Sequence, residues 1–235
     1  MPSLAVVVPT LDEIDRLPAL LDDLLAREEA DRPDEVLVVD GGSRDGTAQA
    51  ARAHGVRVLE VGRGRGRQLA AGARATEADL LLFLHADAGL SAGALASVRR
   101  AFGAADLVAA GLHQRIDHGR RVYRWIEWCA DRKARAGWVY GDSGLAVRRS
   151  VYQEVGGFRD LPVFEDLDLS RRLRRRGRVD LVEGARITVS PRRWEADGPV
   201  RRTLKNWCLT AAFAAGVDPR RLARYYPPPA PGDLS

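Results

Sequence analysis

The chain alternates between short, unbroken runs of apolar residues and longer segments in which apolar residues recur every three or four positions. Residues 5–8, 36–39 and 80–84 are runs of the first kind, which are typical of strands buried on both faces of a parallel sheet. Residues 14–25, between the first two runs, carry leucines at helical spacing. This order predicts an α/β fold with a mostly parallel, doubly wound sheet and flanking helices.

The rest of the pattern extends the same arrangement. Short apolar runs predict further strands at residues 56–59, 107–110, 145–147, 179–182 and 187–189. Periodic segments predict further helices at residues 69–75, 91–102, 120–138 and 200–215. We expect a single domain over residues 1–226 that ends in C-terminal helices, followed by a proline-rich tail at residues 227–235.

The composition narrows the class of protein. A hydrophobic share of 46% in 235 residues is enough for a sizeable core. No apolar run approaches the roughly 20 residues that span a bilayer, and the N-terminus leads directly into a strand, so we expect a cytoplasmic protein. The net charge of +5 comes from arginines interleaved with acids. Because no zinc-finger, basic-zipper or RNP-type pattern accompanies them, we expect no nucleic-acid partner.

Polar side chains follow three of the predicted strands at the point where each strand ends. Thr10 follows the first strand, Asp40 follows the second, and His85 and Asp87 follow the run at residues 80–84. The carboxyl ends of parallel strands meet at one edge of the sheet, where such folds bind their ligands. Their convergence therefore predicts a functional site at this edge.

A stretch rich in glycine and arginine occupies residues 62–68. Its G-x-G-x-G spacing and its place after the third strand are wrong for a dinucleotide-binding fingerprint. We expect a flexible loop in which Arg63, Arg65 and Arg67 clamp an anion such as a diphosphate. A solvated loop without a ligand is the alternative.

The segment at residues 120–138 allows two interpretations. Tyr123, Trp125, Trp128 and Trp138 stand among basic residues there. This pattern fits a helix that packs its aromatic side chains on the sheet. It also fits a face that meets an acceptor or a membrane surface.

Three acids, Glu165, Asp166 and Asp168, stand near the start of a predicted helix. Acids in a first turn complement the helix dipole, so all three can be purely structural.

Several segments together resemble the family 2 glycosyltransferases of GT-A fold. These segments are Val-Pro-Thr-Leu-Asp-Glu at residues 8–13, Val-Val-Asp-Gly-Gly-Ser-Arg-Asp-Gly-Thr at 38–47 and Leu-Phe-Leu-His-Ala-Asp at 82–87. Gly-Gly-Phe at residues 156–158, followed by Glu-Asp at 165–166, resembles the acceptor-side signature of the same family.

The resemblance also points to a bacterial subgroup, the radical-SAM/selenodomain-associated transferases. It rests on Arg-Gln at residues 67–68, the His-Ala-Asp triplet, Phe-Glu-Asp at 164–166 and Ser-Pro-Arg-Arg-Trp-Glu at 190–195. The resemblance covers the chain to about residue 226.

The resemblance implies a GT-A, Rossmann-like domain that transfers a sugar from a UDP- or GDP-sugar to an acceptor hydroxyl with inversion. Residues 1–115 would bind the nucleotide sugar and residues 116–226 would form the acceptor side, with Asp166 as the general base. The implied donor-binding residues are Pro9, Thr10, Glu13, Asp40, Gly41, Arg63, Arg65, Arg67, Gln68 and Ala86. The implied acceptor-side residues are Gly141, Asp142, Glu165, Arg193 and Trp194.

The resemblance further implies a divalent cation, Mn²⁺ or Mg²⁺, at the donor diphosphate. Asp87 matches the last aspartate of the family's D-x-D motif, and His85 replaces the first. Imidazole with carboxylate suits Mn²⁺ better than Mg²⁺, which prefers oxygen ligands. In the first loop Asp12 replaces the family's usual asparagine, so a group that only accepts hydrogen bonds stands where the amide also donates.

The acceptor is not specified by the sequence. No glutamine precedes Arg193-Trp194 at the spacing of the processive members' Q-x-x-R-W motif, so we expect a non-processive enzyme. The acceptor is either a small molecule or a lipid, and a lipid acceptor would entail peripheral contact with the inner face of a membrane. The alternatives outside this class are a nucleotidyltransferase and a non-enzymatic, basic surface-binding protein. The first would normally carry a glycine-rich loop with a cation after the first strand, where this chain has Pro9–Glu13.

Overall fold

The computed structural model describes residues 1–225, except for the side chains of residues 192, 193 and 196. The predicted tail at residues 227–235 therefore lies outside the described residues. Within the described part, one sheet contains eight strands. They are β1 (Leu4–Thr10), β2 (Glu35–Asp40), β3 (Arg57–Glu60), β4 (Leu80–Phe83), β5 (Gly89–Leu90), β6 (Leu107–Ile116), β7 (Leu145–Arg148) and β8 (Arg178–Val189).

Helices flank this sheet. Over residues 1–225 the α-helices are α1 (Leu17–Ala26), α2 (Thr47–Ala53), α3 (Arg65–Arg74), α4 (Ala94–Ala101), α5 (Arg121–Arg135), α6 (Arg149–Glu154), α7 (Glu165–Leu173), α8 (Arg192–Asp197), α9 (Pro199–Ala214) and α10 (Pro219–Leu222). Short 3₁₀ turns occur at Glu29–Asp31, Gly141–Ser143 and Ala223–Tyr225. Among these residues no helix is long and apolar enough to cross a bilayer.

The strand order is β3-β2-β1-β4-β7-β6-β8-β5. The strands β1 to β4 pair in parallel, β8 pairs in parallel with β6, and β7 and β5 run antiparallel to their neighbours. The predicted mostly parallel α/β sheet is therefore confirmed. Its register sets Thr10 opposite Asp40, so the carboxyl ends of β1 and β2 finish side by side.

Both faces of the central strands are buried, as the unbroken apolar runs predict. Side chains alternate between the faces of a strand. Val6 and Leu82 therefore belong to a core cluster shared with α1, α4 and α5. Val7 and Leu81 belong to a second cluster shared with α3 and α7.

Two predictions about element boundaries were wrong. The apolar runs at 179–182 and 187–189 belong to one strand, β8, because pairing with the extended β6 carries it across the polar Glu183-Gly184, where the register shifts. The helix predicted at 69–75 begins instead at Arg65. It begins there because Gly64 adopts a positive φ of 142° and Gly66 lies against the main-chain carbonyl of Arg159.

Candidate active site

The carboxylate of Asp40 organises the loop that follows β2. One oxygen, Oδ1, accepts hydrogen bonds from Thr10 Oγ1 at 3.2 Å and from the hydroxyl of Ser43. The other, Oδ2, accepts from the main-chain N–H groups of Gly42 at 2.9 Å and Ser43 at 2.8 Å. Asp40 and Thr10 are both buried. The sequence prediction that these two side chains lie together is thus confirmed, and the loop is held in place by four bonds to one side chain.

A second set of bonds joins this loop to the one after β1. Asp12 adopts a left-handed backbone with φ 54°. Its Oδ1 accepts from the N–H of Arg44 at 2.8 Å, and its own N–H donates to Ser43 Oγ at 2.9 Å. The N–H of Glu13 donates to Thr47 Oγ1 at 2.9 Å. A side-chain acceptor is what the N–H of Arg44 requires, so the aspartate at position 12 satisfies the local hydrogen bonding.

Gln68 binds the main chain at the same edge of the sheet. It is buried, and its Nε2 donates to the carbonyls of Thr10 and Val39, both at 2.8 Å. Gly41 lies directly over it, since a Cβ at position 41 would stand about 3.0 Å from the amide. Gln68 therefore ties the ends of β1 and β2 together, and its contact with the donor stays a prediction.

The three arginines predicted to form one clamp diverge. Arg63 is exposed in the loop before α3. Arg67 faces away to Asp160, with Nη2 2.7 Å from Oδ2, and both side chains are about half exposed. Arg65 alone points to the centre of the site. Since α3 already begins at Arg65, the prediction of a flexible three-arginine loop was wrong.

Arg65 joins the two halves of the predicted site. Its Nη2 lies 2.7 Å from His85 Nε2, and its Nε lies 3.2 Å from Glu165 Oε1. Guanidinium nitrogens only donate, so His85 Nε2 is the acceptor in the first contact. Asp87 is exposed on the turn after β4. The side chain of Ala86, between His85 and Asp87 in the sequence, is buried in the core.

Asp166 is held in place by the main chain. Its Oδ2 accepts the N–H of Gly141 at 2.6 Å, and its Oδ1 accepts the N–H of Leu167 at 2.7 Å. Only 9% of Asp166 is exposed. Glycine at position 141 leaves room for the Arg65 guanidinium, which a Cβ there would displace, and such a Cβ would stand 3.2 Å from Asp166 Oδ2.

The residue before the acids, Phe164, has a left-handed φ of 63°. This is a rare conformation for a bulky residue and costs about 1–2 kcal/mol. Its ring packs on that of Phe213 in α9, with centroids 5.3 Å apart. Packing with α9 therefore helps to hold the strained turn that aims Glu165 and Asp166 at the site.

The three acids of α7 have separate surroundings. Burial raises the pKa of Glu165, the Arg65 cation counters part of that shift, and Asp166 adds to it. Asp168 is structural, since it is buried and its carboxylate pairs with Arg172 at 2.7 Å and Arg159 at 3.4 Å. Of the three acids, Asp166 is therefore the one whose carboxylate is bonded by main-chain amides.

One small cavity collects residues that are far apart in sequence. Pro9, Arg65 and His85 line it from the N-terminal half of the chain, and Gly141 and Asp166 line it from the C-terminal half. A carboxylate, a cation and an imidazole thus face one space at the carboxyl edge of the sheet. Such an arrangement can neutralise a leaving anion and accept a proton in the same place.

The other residues predicted for the acceptor side lie in different surroundings. Trp194 is 9% exposed and belongs to the core cluster of Tyr123 and Ile126. Helix α8 turns the indole inward, and its contact with an acceptor stays a prediction. The side chain of Arg193 lies outside the described residues. Asp142 is half-buried in the 3₁₀ turn that contains Gly141.

Sequence reasoning also missed residues of this site. Ser43 and Thr47, which join the loops after β1 and β2, stand inside the motif at residues 38–47, but the motif does not reveal their partners. Tyr140, whose hydroxyl lies 3.1 Å from Thr210 Oγ1 of α9, fixes the segment just before Gly141. No sequence signal marks Tyr140, because its partner is distant in the chain.

Comparison with known proteins supplies a family. Residues 5–156, more than half of the chain, match the profile described as Glycosyl transferase family 2. The dolichyl-phosphate beta-glucosyltransferase of Drosophila melanogaster is 39% identical over 99 residues. That match covers 36% of this chain and 30% of the relative, so the chain matches less than a third of the relative's length.

Solved structures share the fold at low sequence identity. A mannosyltransferase, PcManGT from Pyrobaculum calidifontis in complex with GDP-Man and Mn²⁺, has a TM-score of 0.68 at 20% identity, covering 99% of this chain and 68% of that one. S. aureus TarS in complex with UDP-GlcNAc has a TM-score of 0.65 at 17% identity, covering 80% and 58%.

A third structure is glucosyl-3-phosphoglycerate synthase from Mycobacterium tuberculosis, with Mn²⁺, UDP and glucosyl-3-phosphoglycerate. It has a TM-score of 0.55 at 20% identity and covers 80% of this chain and 70% of that one. At such identities the likeness establishes the fold alone, and it confirms the predicted GT-A architecture.

Proposed function

Because this chain belongs to glycosyl transferase family 2, we propose that it moves a sugar from a UDP- or GDP-sugar to an acceptor hydroxyl. The observation that carries the proposal is the cavity in which Arg65 and His85 meet Gly141 and Asp166. Nucleoside-diphosphate release needs positive charge and the acceptor needs a base, and both are present there.

The donor would lie along the carboxyl edge of β1, β2 and β4. The hydrogen-bonded loops around Thr10, Glu13 and Asp40 would form the surface that binds the nucleotide, and Arg65 would face the diphosphate. Arg65 is already oriented by His85 and Glu165. Such preorganisation lowers the entropy lost when the anion binds.

A divalent cation, Mn²⁺ or Mg²⁺, would neutralise charge on the leaving diphosphate when bound. The structures of PcManGT and of glucosyl-3-phosphoglycerate synthase both contain Mn²⁺. The exposed carboxylate of Asp87 fits such an ion, whereas His85 Nε2 already accepts a bond from Arg65. Residues 1–225 contain no cluster of three or more His, Cys, Asp or Glu that could hold a metal. One protein carboxylate with diphosphate oxygens and water is a common way to bind these ions.

Asp166 would be the general base. The acceptor oxygen bonds to the anomeric carbon as the bond from that carbon to the diphosphate oxygen breaks, and the acceptor proton passes to Asp166. The N–H groups of Gly141 and Leu167 fix the orientation of the carboxylate. This single displacement inverts the anomeric configuration, and one sugar is transferred for each acceptor.

Two classes of acceptor fit this chemistry, a small molecule and a lipid. The similar region of dolichyl-phosphate beta-glucosyltransferase, a protein named for a lipid-linked phosphate, supports the lipid class. A lipid acceptor would place the enzyme on the inner face of a membrane.

Isothermal titration calorimetry with UDP- and GDP-sugars in the presence of Mn²⁺ tests the donor assignment. We expect one nucleotide class to bind with a dissociation constant of about 1 μM to 1 mM. Arg65→Ala should weaken this binding at least about tenfold, because a cation at the diphosphate is lost. Arg74→Ala, an exposed arginine at the other end of α3, should bind as the parent does. Failure of every nucleotide sugar to bind would overturn the proposed function.

A further inference from the structure

The outer faces of α5 and α9 expose apolar side chains that folding does not explain. Of the large apolar side chains exposed within residues 1–225, four lie on these two helices. Trp125 is 43% exposed, Trp128 is 56%, Val200 is 51% and Leu204 is 49%. The ring of Trp125 lies 5.4 Å from that of Trp207 on α9, so the two helices form one continuous surface. We call this surface the α5–α9 face.

The exposed apolar side chains of α9 lie along one side of the helix. Val200, Leu204 and Cys208 stand at every fourth position and are all exposed, whereas Leu209 and Phe213 are buried against the body of the protein. Residues four apart share one side of a helix. A contiguous apolar stripe that faces water on an otherwise packed helix marks an interaction surface.

The same two helices carry more than the whole net positive charge of the chain. They hold eight cations and two acids, a net charge of +6, against +5 for all 235 residues. The cations are Arg121, Arg124, Arg132, Lys133, Arg135, Arg201, Arg202 and Lys205, and the acids are Glu127 and Asp131.

Both acids are occupied within the fold. Glu127 is buried, accepts the N–H of Ile116 at 2.6 Å and pairs with Arg124 at 2.9 Å. Asp131 pairs with His113 at 2.7 Å. Arg135 and Arg202 are likewise paired with acids outside the two helices, Glu183 and Asp197, so the cationic charge of the α5–α9 face comes from its other exposed cations.

The exposed cations flank the aromatic rings. Arg121, Arg132, Arg201 and Lys205 are exposed, and the guanidinium of Arg132 lies 4.9 Å over the ring of Trp128. Indoles and aliphatic side chains with basic residues beside them suit the boundary between lipid headgroups and acyl chains, where the rings insert and the cations meet anionic headgroups.

From this complementarity we propose that the α5–α9 face docks the protein on an anionic membrane surface. A second copy of the chain is a poorer occupant, because a two-fold interface would set the same cations against each other. Nucleic acid is also a poorer occupant, because bases could stack only on the indoles of Trp125 and Trp128 and would leave the aliphatic Val200 and Leu204 exposed to water.

The docking face lies one helix away from the candidate base. On its inner side α9 packs with Leu167, the residue after Asp166, through Leu209 and Phe213. Because a helix is about 10 Å across, a docked membrane would lie close to the acceptor side of the cavity. A lipid headgroup is then the acceptor class within reach. This second step rests on the proposed function, whereas the docking itself does not.

Cosedimentation with vesicles tests the docking. The full-length protein is mixed with vesicles of phosphatidylcholine alone, or of phosphatidylcholine with about one third phosphatidylglycerol. We expect binding to the anionic vesicles that weakens as salt rises. Replacing both indoles, Trp125→Ser with Trp128→Ser, should weaken binding at least about tenfold.

Two further variants sharpen the test. Arg201→Gln with Lys205→Gln should weaken binding and flatten its salt dependence. Tyr225→Ser removes an exposed aromatic outside α5 and α9 and should change nothing. Circular dichroism confirms that each variant is folded.

Three other outcomes would contradict the proposed docking on a membrane. These outcomes are absence of vesicle binding, equal binding by the tryptophan double variant, and self-association or DNA binding that the double variant abolishes while vesicles are ignored. Donor calorimetry on the same proteins keeps the two proposals distinguishable. We expect the tryptophan double variant to keep its donor affinity, and loss of donor binding in every protein would overturn the proposed function alone.

Discussion

The two sides of the cavity are stabilised in different ways. At the ends of β1 and β2, buried side chains bind each other, as when Asp40 accepts hydrogen bonds from the hydroxyls of Thr10 and Ser43. At the start of α7, the carboxylate of Asp166 is held by the main-chain N–H groups of Gly141 and Leu167. Both arrangements join distant segments, since Thr10 and Asp40 are 30 positions apart and Gly141 and Asp166 are 25 apart. The position of Asp166 depends in addition on how α7 and α9 pack. Changes to the Asp166 carboxylate should affect transfer without affecting donor binding.

Among changes outside Asp166 itself, Gly141→Ala is expected to have the largest effect. The added methyl group would displace the end of the Arg65 side chain and stand 3.2 Å from Asp166 Oδ2, and misplacement of reacting groups by about 1 Å can cost about 10²-fold in rate. We expect a loss in kcat of up to that size, with weaker donor binding because Arg65 would face the diphosphate, and a smaller change in thermal stability. Gly119→Ala is the matched control, because a Cβ there meets nothing within 4 Å. Equal activity of both variants would show that the contact of Gly141 with Asp166 is unimportant.

Asp40→Ala tests the donor side. It removes the acceptor of four hydrogen bonds in a buried loop, so we expect a loss of about 1–3 kcal/mol in the free energy of unfolding together with weaker donor binding. Urea denaturation measures the first and calorimetry the second. Asp22→Ala, an exposed aspartate, should leave both unchanged. Unchanged stability of Asp40→Ala would mean that the loop does not depend on this side chain.

The smallest effect concerns Lys133, beside the α5–α9 face. Its amine lies 4.6 Å over the ring of Trp207, and burial lowers its pKa to about 8. The unfolded chain then binds more protons than the folded one between about pH 8 and pH 10.5, so this residue makes the folded state more stable as pH rises through that window.

Lys133→Met should remove this dependence while keeping the apolar stem. We expect the stability of the parent, relative to the variant, to rise by about 1 kcal/mol across that window, a value reduced because the amine is partly solvated. Denaturation of both proteins at the two ends of the window measures it. Parallel pH profiles for parent and variant would contradict the assignment.

The strand pattern determines how much of the candidate site could be predicted from the sequence. Thr10, Asp40 and His85 stand at the ends of strands whose apolar runs are unmistakable, so their convergence at one edge follows from the strand pattern alone. The start of α3 at Arg65 depends on Gly66 lying against the carbonyl of Arg159, which is a tertiary contact. The central position of Arg65 between His85 and Glu165 could not be predicted for that reason.

The aromatic residues show the same limit. Trp194 and Trp128 both stand among charged neighbours in the sequence, yet one is buried in the core and the other is half exposed. The difference arises because α8 turns its indole towards the core, whereas Trp128 lies on the side of α5 away from the sheet. Which side of a helix meets the sheet is decided by packing of the whole domain.

We propose that Asp166 accepts the acceptor's proton in a site that binds the donor independently. Asp166→Asn tests it most directly when transfer and donor affinity are measured on the same protein. We expect transfer to fall by about 10²–10⁴-fold with donor affinity unchanged, while Asp160→Asn, an exposed aspartate outside the cavity, keeps both. An Asp166→Asn variant that transfers sugar at the parent's rate would contradict the account.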